Sequence, residues 1–275
     1  MAVLSKVISF QDVSLSFGGV QALKNVSFDI EENSLFAIIG PNGAGKTTVF
    51  NCLTGFYSVS SGKILVNLDK KTFHLERMRG DQIARDARIA RTFQNIRLFS
   101  QMTLLENLLV AQHKTLMRAS GWSLSGLLGL SSWKKAEAEA IQLAEEWLHK
   151  VALIDRANDV AESLSYGEQR RLEIARAMCT KPVVLCLDEP AAGLNPRESA
   201  QLNCLISEIK DETSIGIILI EHDMNVVMEI SDQVIVLNYG CKIASGTPSE
   251  IKINPRVIEA YLGEPDPETD GRISD

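Results

Sequence analysis

The sequence contains no long apolar run, no paired cysteine motif and no surplus of basic residues. Its apolar stretches, such as Leu35–Ile39, fall far short of the roughly 20 residues that a membrane-spanning helix needs, so any role at a membrane would require a partner. The five cysteines form no Cys-x-x-Cys pair, and we expect them to be reduced, with Cys52, Cys179 and Cys186 in the core. A net charge of −7 argues against nucleic acid as the main partner.

The order of apolar segments predicts a mixed α/β fold. Apolar and polar residues alternate from Ile8 to Phe17, which is typical of a strand and turn. Short, fully apolar runs of the kind buried in parallel sheets follow at Leu35–Ile39, Val183–Leu187 and Ile215–Ile220. A helix is predicted over Lys46–Leu53, directly after the first of these runs. Strands that alternate with helices indicate a sheet covered by helices.

The middle of the chain has a helical pattern from about Thr103 to Val151. Thr103 stands three residues before a glutamate, which is a capping-box signature, and Trp133–Val151 places its apolar residues on one helical face. Between these segments, Met117–Ser132 is rich in Gly, Ser and Leu and is interpreted as an inserted loop. The tail Glu264–Asp275 is rich in proline and acidic residues, and we expect it to be disordered.

A glycine-rich segment after the Leu35–Ile39 strand predicts a phosphate-binding loop. It matches the pattern G-x-x-x-x-G-K-[ST] with Gly40, Pro41, Asn42, Gly43, Ala44, Gly45, Lys46, Thr47 and Thr48. Glycines allow backbone N–H groups to close on phosphate oxygens, and the following helix directs its positive end at the same charge. In such loops the lysine, here Lys46, reaches the β- and γ-phosphates, and the hydroxyl of Thr47 binds Mg²⁺. The alternative interpretation is a glycine-rich structural turn.

Two carboxylates, Asp188 and Glu189, end the buried strand Val183–Leu187. We interpret Asp188 as a partner of Mg²⁺, directly or through water, and Glu189 as the group that polarises the attacking water. On its own this pattern could also be a strand that leaves the core with solvated acids. Together with a phosphate loop it predicts a nucleotide-hydrolysing site.

A third motif, Leu164–Gln169, begins an amphipathic helix shortly before the acidic strand. Ser165 is a favourable N-cap, Glu168 completes a capping box, and Gly167 allows a ligand to approach the backbone. Simple helix capping explains Ser165 and Glu168 but not the order of the three motifs. Local basic residues, Arg88, Arg91 and Arg97, are interpreted as a solvated face.

With these motifs the chain resembles the nucleotide-binding subunits of ABC transporters from about Ile8 to Gly263. The resemblance implies an α/β fold with a P-loop NTPase (RecA-like) core, an antiparallel β subdomain and an inserted α-helical subdomain. It divides the chain into an ATP-binding core with the β subdomain at 1–95 and 164–250, a helical subdomain at 96–163, and a C-terminal helix and tail at 251–275. It also implies that two subunits sandwich ATP, so that Ser165 and Gly167 touch the γ-phosphate held by the partner.

Three single residues take roles from the same resemblance. Phe17 is similar to the aromatic residue that stacks on adenine, and Gln94 to the loop glutamine that contacts Mg²⁺ and the attacking water. His222 is similar to the switch histidine that contacts the γ-phosphate. The residues alone leave other interpretations open: Phe17 as strand core, Gln94 as a surface residue and His222 as a residue at a strand end.

The sequence also departs from the family pattern at three positions. Asn195 stands where the family usually has aspartate, which keeps hydrogen bonding but removes a charge that would couple the two ATP sites. Tyr166 replaces the commoner glycine, and Glu168 the commoner glutamine. Because Glu189 is intact, we expect a catalytically competent subunit.

Longer stretches are similar to the larger ATPase subunit of branched-chain amino acid importers. They include Ala90–Phe99, Met102–His113, Leu187–Pro196 and Asn254–Gly263. The resemblance implies ATP and Mg²⁺ as cofactors. The implied partners are a second ABC ATPase subunit, which is a different chain or, as the alternative, a second copy of this one, and transmembrane permease subunits. It also implies no direct binding of solute and a position on the cytoplasmic face of the cell membrane.

Related systems remain as alternatives, namely the ATPases of urea or amide import and of lipopolysaccharide export. A soluble, non-transport ABC ATPase and a P-loop kinase of small molecules are alternatives of other classes. The former usually carries tandem ATPase units or a coiled-coil insertion, and the latter has no reason to carry the Leu164–Gln169 motif.

Overall fold

A computed structural model describes residues 6–119 and 131–262 of the chain. The strands in these residues are β1 (Lys6–Phe17), β2 (Val20–Glu31), β3 (Leu35–Ile39), β4 (Ser61–Leu68), β5 (Lys71–His74), β6 (Ile89–Arg91), β7 (Val184–Asp188), β8 (Gly216–Ile220), β9 (Gln233–Asn238) and β10 (Cys241–Gly246). The longer helices are α1 (Lys46–Leu53), α2 (Leu104–Ala111), α3 (His113–Ala119), α4 (Ser131–Lys150), α5 (Tyr166–Met178), α6 (Pro196–Glu212), α7 (Met224–Ile230), α8 (Pro248–Lys252) and α9 (Pro255–Leu262). Short helical turns cover Leu75–Arg77, Gly80–Gln82, Ile83–Ala87, Ile154–Arg156 and Ala161–Ser163.

Two compact units make up the chain, and the boundaries between them lie after Gly80 and inside β8. The first unit comprises Met1–Gly80 and Ile218–Asp275, and the second comprises Asp81–Ile217. The domain boundaries expected from the sequence rest on the family resemblance, whereas these units are defined by contacts within the chain. The expected boundaries therefore stay a prediction.

The first unit contains an antiparallel sheet in the order β2-β1-β4-β5. It also contains β3, which pairs in parallel with β9, and β10, which pairs antiparallel with β9. Every side chain of β3 is buried, as expected for a strand of a parallel sheet covered on both faces. A stack of three aromatic rings, Phe10, Phe28 and Phe36, joins β1, β2 and β3, with centroid separations of 4.3 and 5.5 Å. The core of this unit therefore supports the strand that leads into the predicted phosphate loop.

The second unit combines a parallel strand pair, β6 and β7, with helices α2 to α6. The apolar face predicted for α4 is confirmed, since Ala140, Ala144, Trp147 and Leu148 are buried. Both capping boxes predicted here are present, at Thr103 for α2 and at Ser165 for α5.

One prediction of local structure is wrong at its edges. The segment Met117–Ser132 is not a loop throughout, because α3 continues to Ala119 and α4 begins at Ser131. Residues 113–119 contain neither glycine nor proline, so nothing in their sequence ends the helix earlier. Residues 120–130 and the tail from Glu264 lie outside the described residues.

All five cysteines lie in the described part of the chain, and none forms a disulfide. Cys52, Cys179 and Cys186 are buried, as predicted, and burial raises the pKa of each of these thiols to about 12. Over the residues that the structure covers, none of the helices combines the length and the apolar character that crossing a bilayer requires.

Candidate functional site

The first unit carries the glycine-rich loop between β3 and α1. The Lys46 side chain is only 8% exposed, and its ammonium donates hydrogen bonds to the carbonyl oxygens of Gly40 at 2.7 Å and Pro41 at 3.0 Å. The lysine thus turns back across the loop it follows, which places its positive charge beside the backbone that would surround a phosphate.

The N-terminus of α1 differs from those of four other helices. Helices α2, α5, α6 and α8 all begin with a complete capping box. At α1 the N-cap is Gly45, which makes no side-chain hydrogen bond, and the first turn holds no acidic residue. The N-cap residue of α1 therefore supplies no side-chain cap, and its first turn holds no carboxylate to offset the positive end of the helix dipole. This arrangement fits a phosphate group.

Phe17 ends β1 with 46% of its surface exposed, so it is not a residue of the strand core. Its ring meets that of Tyr57 edge to face, with centroids 4.9 Å apart. Tyr57 is a residue that the sequence reasoning missed, because it lies 40 positions from Phe17 and belongs to no motif. An exposed aromatic pair of this kind offers a face on which a planar base can stack.

His222 follows β8 in the same unit, next to a buried carboxylate. Its side chain is 62% exposed, while that of Glu221 is 1% exposed. The backbone N–H of His222 donates to Glu221 Oε2 at 3.2 Å. The buried carboxylate of Glu221 thus fixes the backbone of His222, whose imidazole is exposed.

The second unit carries the two carboxylates at the end of β7. Asp188 is buried, and its Oδ2 accepts a hydrogen bond from the Arg91 guanidinium at 2.7 Å, where both side chains are less than 10% exposed. The interpretation of Arg91 as part of a solvated face is therefore wrong. Parallel pairing of β6 with β7 brings Arg91 beside Asp188 at the end of β7. Because the two residues are 97 positions apart in the sequence, no local pattern predicts their contact.

The next residue, Glu189, has a left-handed backbone, with φ of 47°. Left-handed backbone costs roughly 1–2 kcal/mol for a residue with a side chain, and such strain concentrates at functional positions. The Glu189 carboxylate accepts a hydrogen bond from Nε2 of Gln94 at 2.8 Å. The structure therefore brings together two residues that the sequence predicted from separate motifs.

The Leu164–Gln169 motif begins α5 in this second unit. Ser165 is an exposed N-cap whose Oγ accepts from the N–H of Glu168, and the buried Gly167 lies against the side chain of Glu198. Burial would raise the pKa of Glu168, but hydrogen bonds from Ser165 and Arg156 outweigh it and hold that pKa below the usual range. Glu168 is therefore ionised at neutral pH and caps the helix with a full charge.

The predicted site residues fall into two groups, one in each unit. The loop 40–48, Phe17 and His222 belong to the first unit. Gln94, Asp188, Glu189 and the motif 164–169 belong to the second.

Comparison with known proteins identifies the family. A family model described as ABC transporter matches residues 23–192, which is more than half of the chain. The chain belongs to the ABC transporter family. A second model, described as branched-chain amino acid ATP-binding cassette transporter, matches residues 241–267.

Several curated relatives are similar over almost their whole length. The high-affinity branched-chain amino acid transport ATP-binding protein LivG of Escherichia coli K12 is 50% identical over 94% of this chain and 98% of its own. LivG of Salmonella typhimurium gives the same values, and BraF of Pseudomonas aeruginosa is 48% identical over the same shares.

Solved structures confirm the fold class. The ADP conformation of an ATP-binding cassette of an ABC transporter superposes with a TM-score of 0.79 at 28% identity, covering 94% of this chain and all of that one. A nucleotide-free cassette from an ABC transporter gives a TM-score of 0.76 at 29% identity, covering 94% of this chain. The predicted P-loop NTPase fold and the predicted ATPase activity of this ABC family member are confirmed.

Proposed function

We propose that this chain is the ATP-hydrolysing subunit of an importer of branched-chain amino acids, in line with the names of its relatives. Identity of 50% over 94% of the chain supports this assignment, as does the match of residues 241–267 to the branched-chain model. The single structural observation that carries the catalytic part is the 2.8 Å hydrogen bond between Gln94 and Glu189.

In this proposal the loop from Gly40 to Thr48 binds the phosphates of ATP. Backbone N–H groups of the loop and of the first turn of α1 bind phosphate oxygens, and Lys46 neutralises the β- and γ-phosphates. Phe17 stacks on the adenine ring, and its contact with Tyr57 holds it at the surface where a base can reach it.

The donor set fits Mg²⁺, which prefers hard oxygen ligands. We assign the Thr47 hydroxyl, the Gln94 side-chain oxygen and the Asp188 carboxylate to this role. The Gln94 amide uses its Nε2 for Glu189, which leaves its oxygen as the metal ligand, and Arg91 orients Asp188. When bound, Mg²⁺ neutralises charge on the β- and γ-phosphates.

Hydrolysis then depends on three side chains. Glu189 polarises the attacking water, and Gln94 orients both the carboxylate and that water. His222 contacts the γ-phosphate from the end of β8 and stabilises the charge that develops there. The left-handed backbone at Glu189 is consistent with a carboxylate directed to one position at the cost of local strain.

The proposed partners are a second ABC ATPase subunit and transmembrane permease subunits. Ser165 and Gly167 contact ATP held by the second subunit, and the permease subunits place the complex on the cytoplasmic face of the cell membrane. The solute passes through the permease and does not touch this chain, and nucleic acid is not a partner. The boundaries 1–95 and 164–250 for the core, and 96–163 for the helical subdomain, belong to the same proposal.

The proposed cycle uses binding and hydrolysis for different steps. Two subunits close on two ATP molecules, and closure drives the permease to open outward. Binding energy supplies this closure, whereas hydrolysis resets the complex and makes the cycle one-way.

The test is ATP hydrolysis by the purified chain beside Glu189→Gln, with oligomeric state read by sizing at saturating ATP. We expect kcat of the variant to fall by about 10²-fold or more, because the general base is lost, and the variant to accumulate as an ATP-dependent dimer. Glu208→Gln, an exposed position on α6, is the matched control and should keep wild-type activity. A Glu189→Gln variant that hydrolyses ATP as fast as wild type and stays monomeric would contradict the proposal.

The solute is tested separately, with the chain assembled with its permease subunits in liposomes. ATP-driven uptake of leucine supports import of branched-chain amino acids. Uptake of urea without uptake of leucine would overturn the solute assignment and leave the ATPase standing.

A further inference from the structure

Arg170, on the first turns of α5, is a fully buried charge with a set of hydrogen bonds within the second unit. Its Nη1 donates to the carbonyl oxygen of Phe93 at 2.6 Å and to Glu173 Oε2 at 2.9 Å. Its Nη2 donates to the carbonyl oxygen of Gln94 at 2.7 Å and to the Tyr166 hydroxyl at 3.0 Å. One guanidinium therefore connects the Leu164–Gln169 motif to the backbone of the glutamine that contacts Glu189.

Glu173 holds the same loop at a second point. It lies one turn along α5 from Arg170, is 2% exposed, and accepts a hydrogen bond from the backbone N–H of Arg97 at 3.1 Å. Arg170 thus holds the carbonyls at the start of the segment 93–97, and Glu173 holds an N–H at its end. The backbone of Gln94 is bound on the α5 side, while its side chain is bound to Glu189.

Stability alone does not account for this pair. Burial raises the pKa of the Glu173 carboxyl, so the fold carries a desolvation cost at this position. Arg170 also leaves its Nε without a hydrogen-bond partner among the described residues. A hydrophobic pair of similar volume would avoid both costs and is often as stable or more stable.

We propose that Arg170 and Glu173 are positioning residues, which set the Gln94 backbone so that its side chain reaches Glu189 and which link that geometry to Tyr166 of the Leu164–Gln169 motif. The inference rests on the proposed function, since it assigns Gln94 and Glu189 to hydrolysis. Arg170 is fully buried and acts through its hydrogen bond to the Gln94 backbone. Its effect on the rate arises because a displacement of about 1 Å in a catalytic group can cost about 10²-fold in rate.

The decisive variant is the double substitution Arg170→Met with Glu173→Met. It replaces the buried ion pair with apolar side chains of similar volume, so we expect Tm to stay within a few degrees of wild type. The loop loses both of its anchors to α5, so we expect kcat to fall at least tenfold. The Kd for ATP should stay within about twofold of wild type, because the phosphate loop is untouched.

Arg171→Met is the matched control. Arg171 is the adjacent residue, and its Nε donates to the carbonyl of Val151 at 3.1 Å rather than to the loop. We expect this variant to keep kcat within about twofold. Arg170→Lys should recover part of the rate lost in Arg170→Met, because an ammonium can serve one of the carbonyls but not all four acceptors.

The outcomes separate the inference from the proposed function. If the wild-type chain hydrolyses ATP and Glu189→Gln does not, the proposed function is supported. If the wild-type chain does not hydrolyse ATP, the proposed function is wrong. With that activity in place, a folded double variant with unchanged kcat would overturn the inference, as would an equal loss in Arg171→Met.

If the double variant does not fold, Tyr166→Phe provides the test, because it removes only one hydroxyl from a residue that is 44% exposed. A fall in kcat of about threefold or more at unchanged Tm then supports the link, and an unchanged kcat overturns it.

Discussion

At the scale of single residues, Gly40 and Gly43 of the phosphate loop both have positive φ, but they are required for different physical reasons. A Cβ atom on Gly40, where φ is 148°, would lie 2.1 Å from the carbonyl oxygen of Leu237. A Cβ atom on Gly43, where φ is 78°, would meet no atom within 4 Å. Gly40 is therefore required by both packing and conformation, whereas Gly43 is required by conformation alone.

This difference predicts unequal costs of substitution by alanine. Gly40→Ala should lower the free energy of unfolding by about 3 kcal/mol, because β9 must move to remove the contact. Gly43→Ala should cost only about 1 kcal/mol, the penalty of left-handed backbone. Chemical denaturation of both variants without nucleotide measures these values. Equal losses would show that Leu237 does not restrict Gly40.

At the scale of secondary-structure elements, α6 shows how a departure from the family pattern is accommodated. Asn195 is its N-cap: Oδ1 accepts from the N–H of Glu198 at 3.0 Å, and Glu198 Oε2 accepts from the N–H of Asn195 at 3.0 Å. Pro196 occupies the first helical turn, where a missing N–H has no cost. The amide of Asn195 therefore supplies the helix cap that an aspartate would also supply at this position.

Substitutions at Asn195 separate capping from charge. Asn195→Ala should destabilise the protein by about 1 kcal/mol, since one N–H of α6 loses its acceptor. Asn195→Asp should keep the cap and change stability by less than about 0.5 kcal/mol, because a carboxylate also interacts with the helix dipole. Thermal and chemical unfolding of the two variants test this, and an aspartate variant as unstable as the alanine variant would contradict the assignment of Asn195 as a cap.

At the scale of the whole molecule, nucleotide binding and stability are linked. ATP with Mg²⁺ at about 100 times its Kd should raise the free energy of unfolding by about 2.7 kcal/mol, because only the folded chain binds. The rise should disappear in Lys46→Ala, because the substitution removes the ammonium that we propose neutralises the β- and γ-phosphates. Thermal unfolding with and without ATP measures the effect as a change in Tm.

Lys63→Ala is the control for this measurement, since Lys63 is an exposed lysine of β4 in the same unit. It should keep the full rise in Tm. A rise that survives in Lys46→Ala would show that ATP stabilises the chain without the phosphate loop.

The sequence by itself determined the features that depend on neighbours along the chain. The strand Leu35–Ile39, the helix Lys46–Leu53 and the capping boxes at Thr103 and Ser165 all lie where it predicted them. Each is set by a short-range rule, namely uninterrupted apolar residues, a glycine-rich turn, or a side chain that bonds an N–H three residues later. The ABC family assignment belongs here too, because its motifs are contiguous.

Only the tertiary structure decided which side chains support those motifs. Arg91 holds Asp188 from 97 positions away, Arg170 holds the Gln94 backbone from 76 positions away, and Tyr57 contacts Phe17. These pairings depend on which strand lies beside which and on which helix face is buried. The local sequence around an arginine does not show whether its side chain is solvated or paired in the core. Its partner depends on the packing of distant segments and not on its neighbours in the chain.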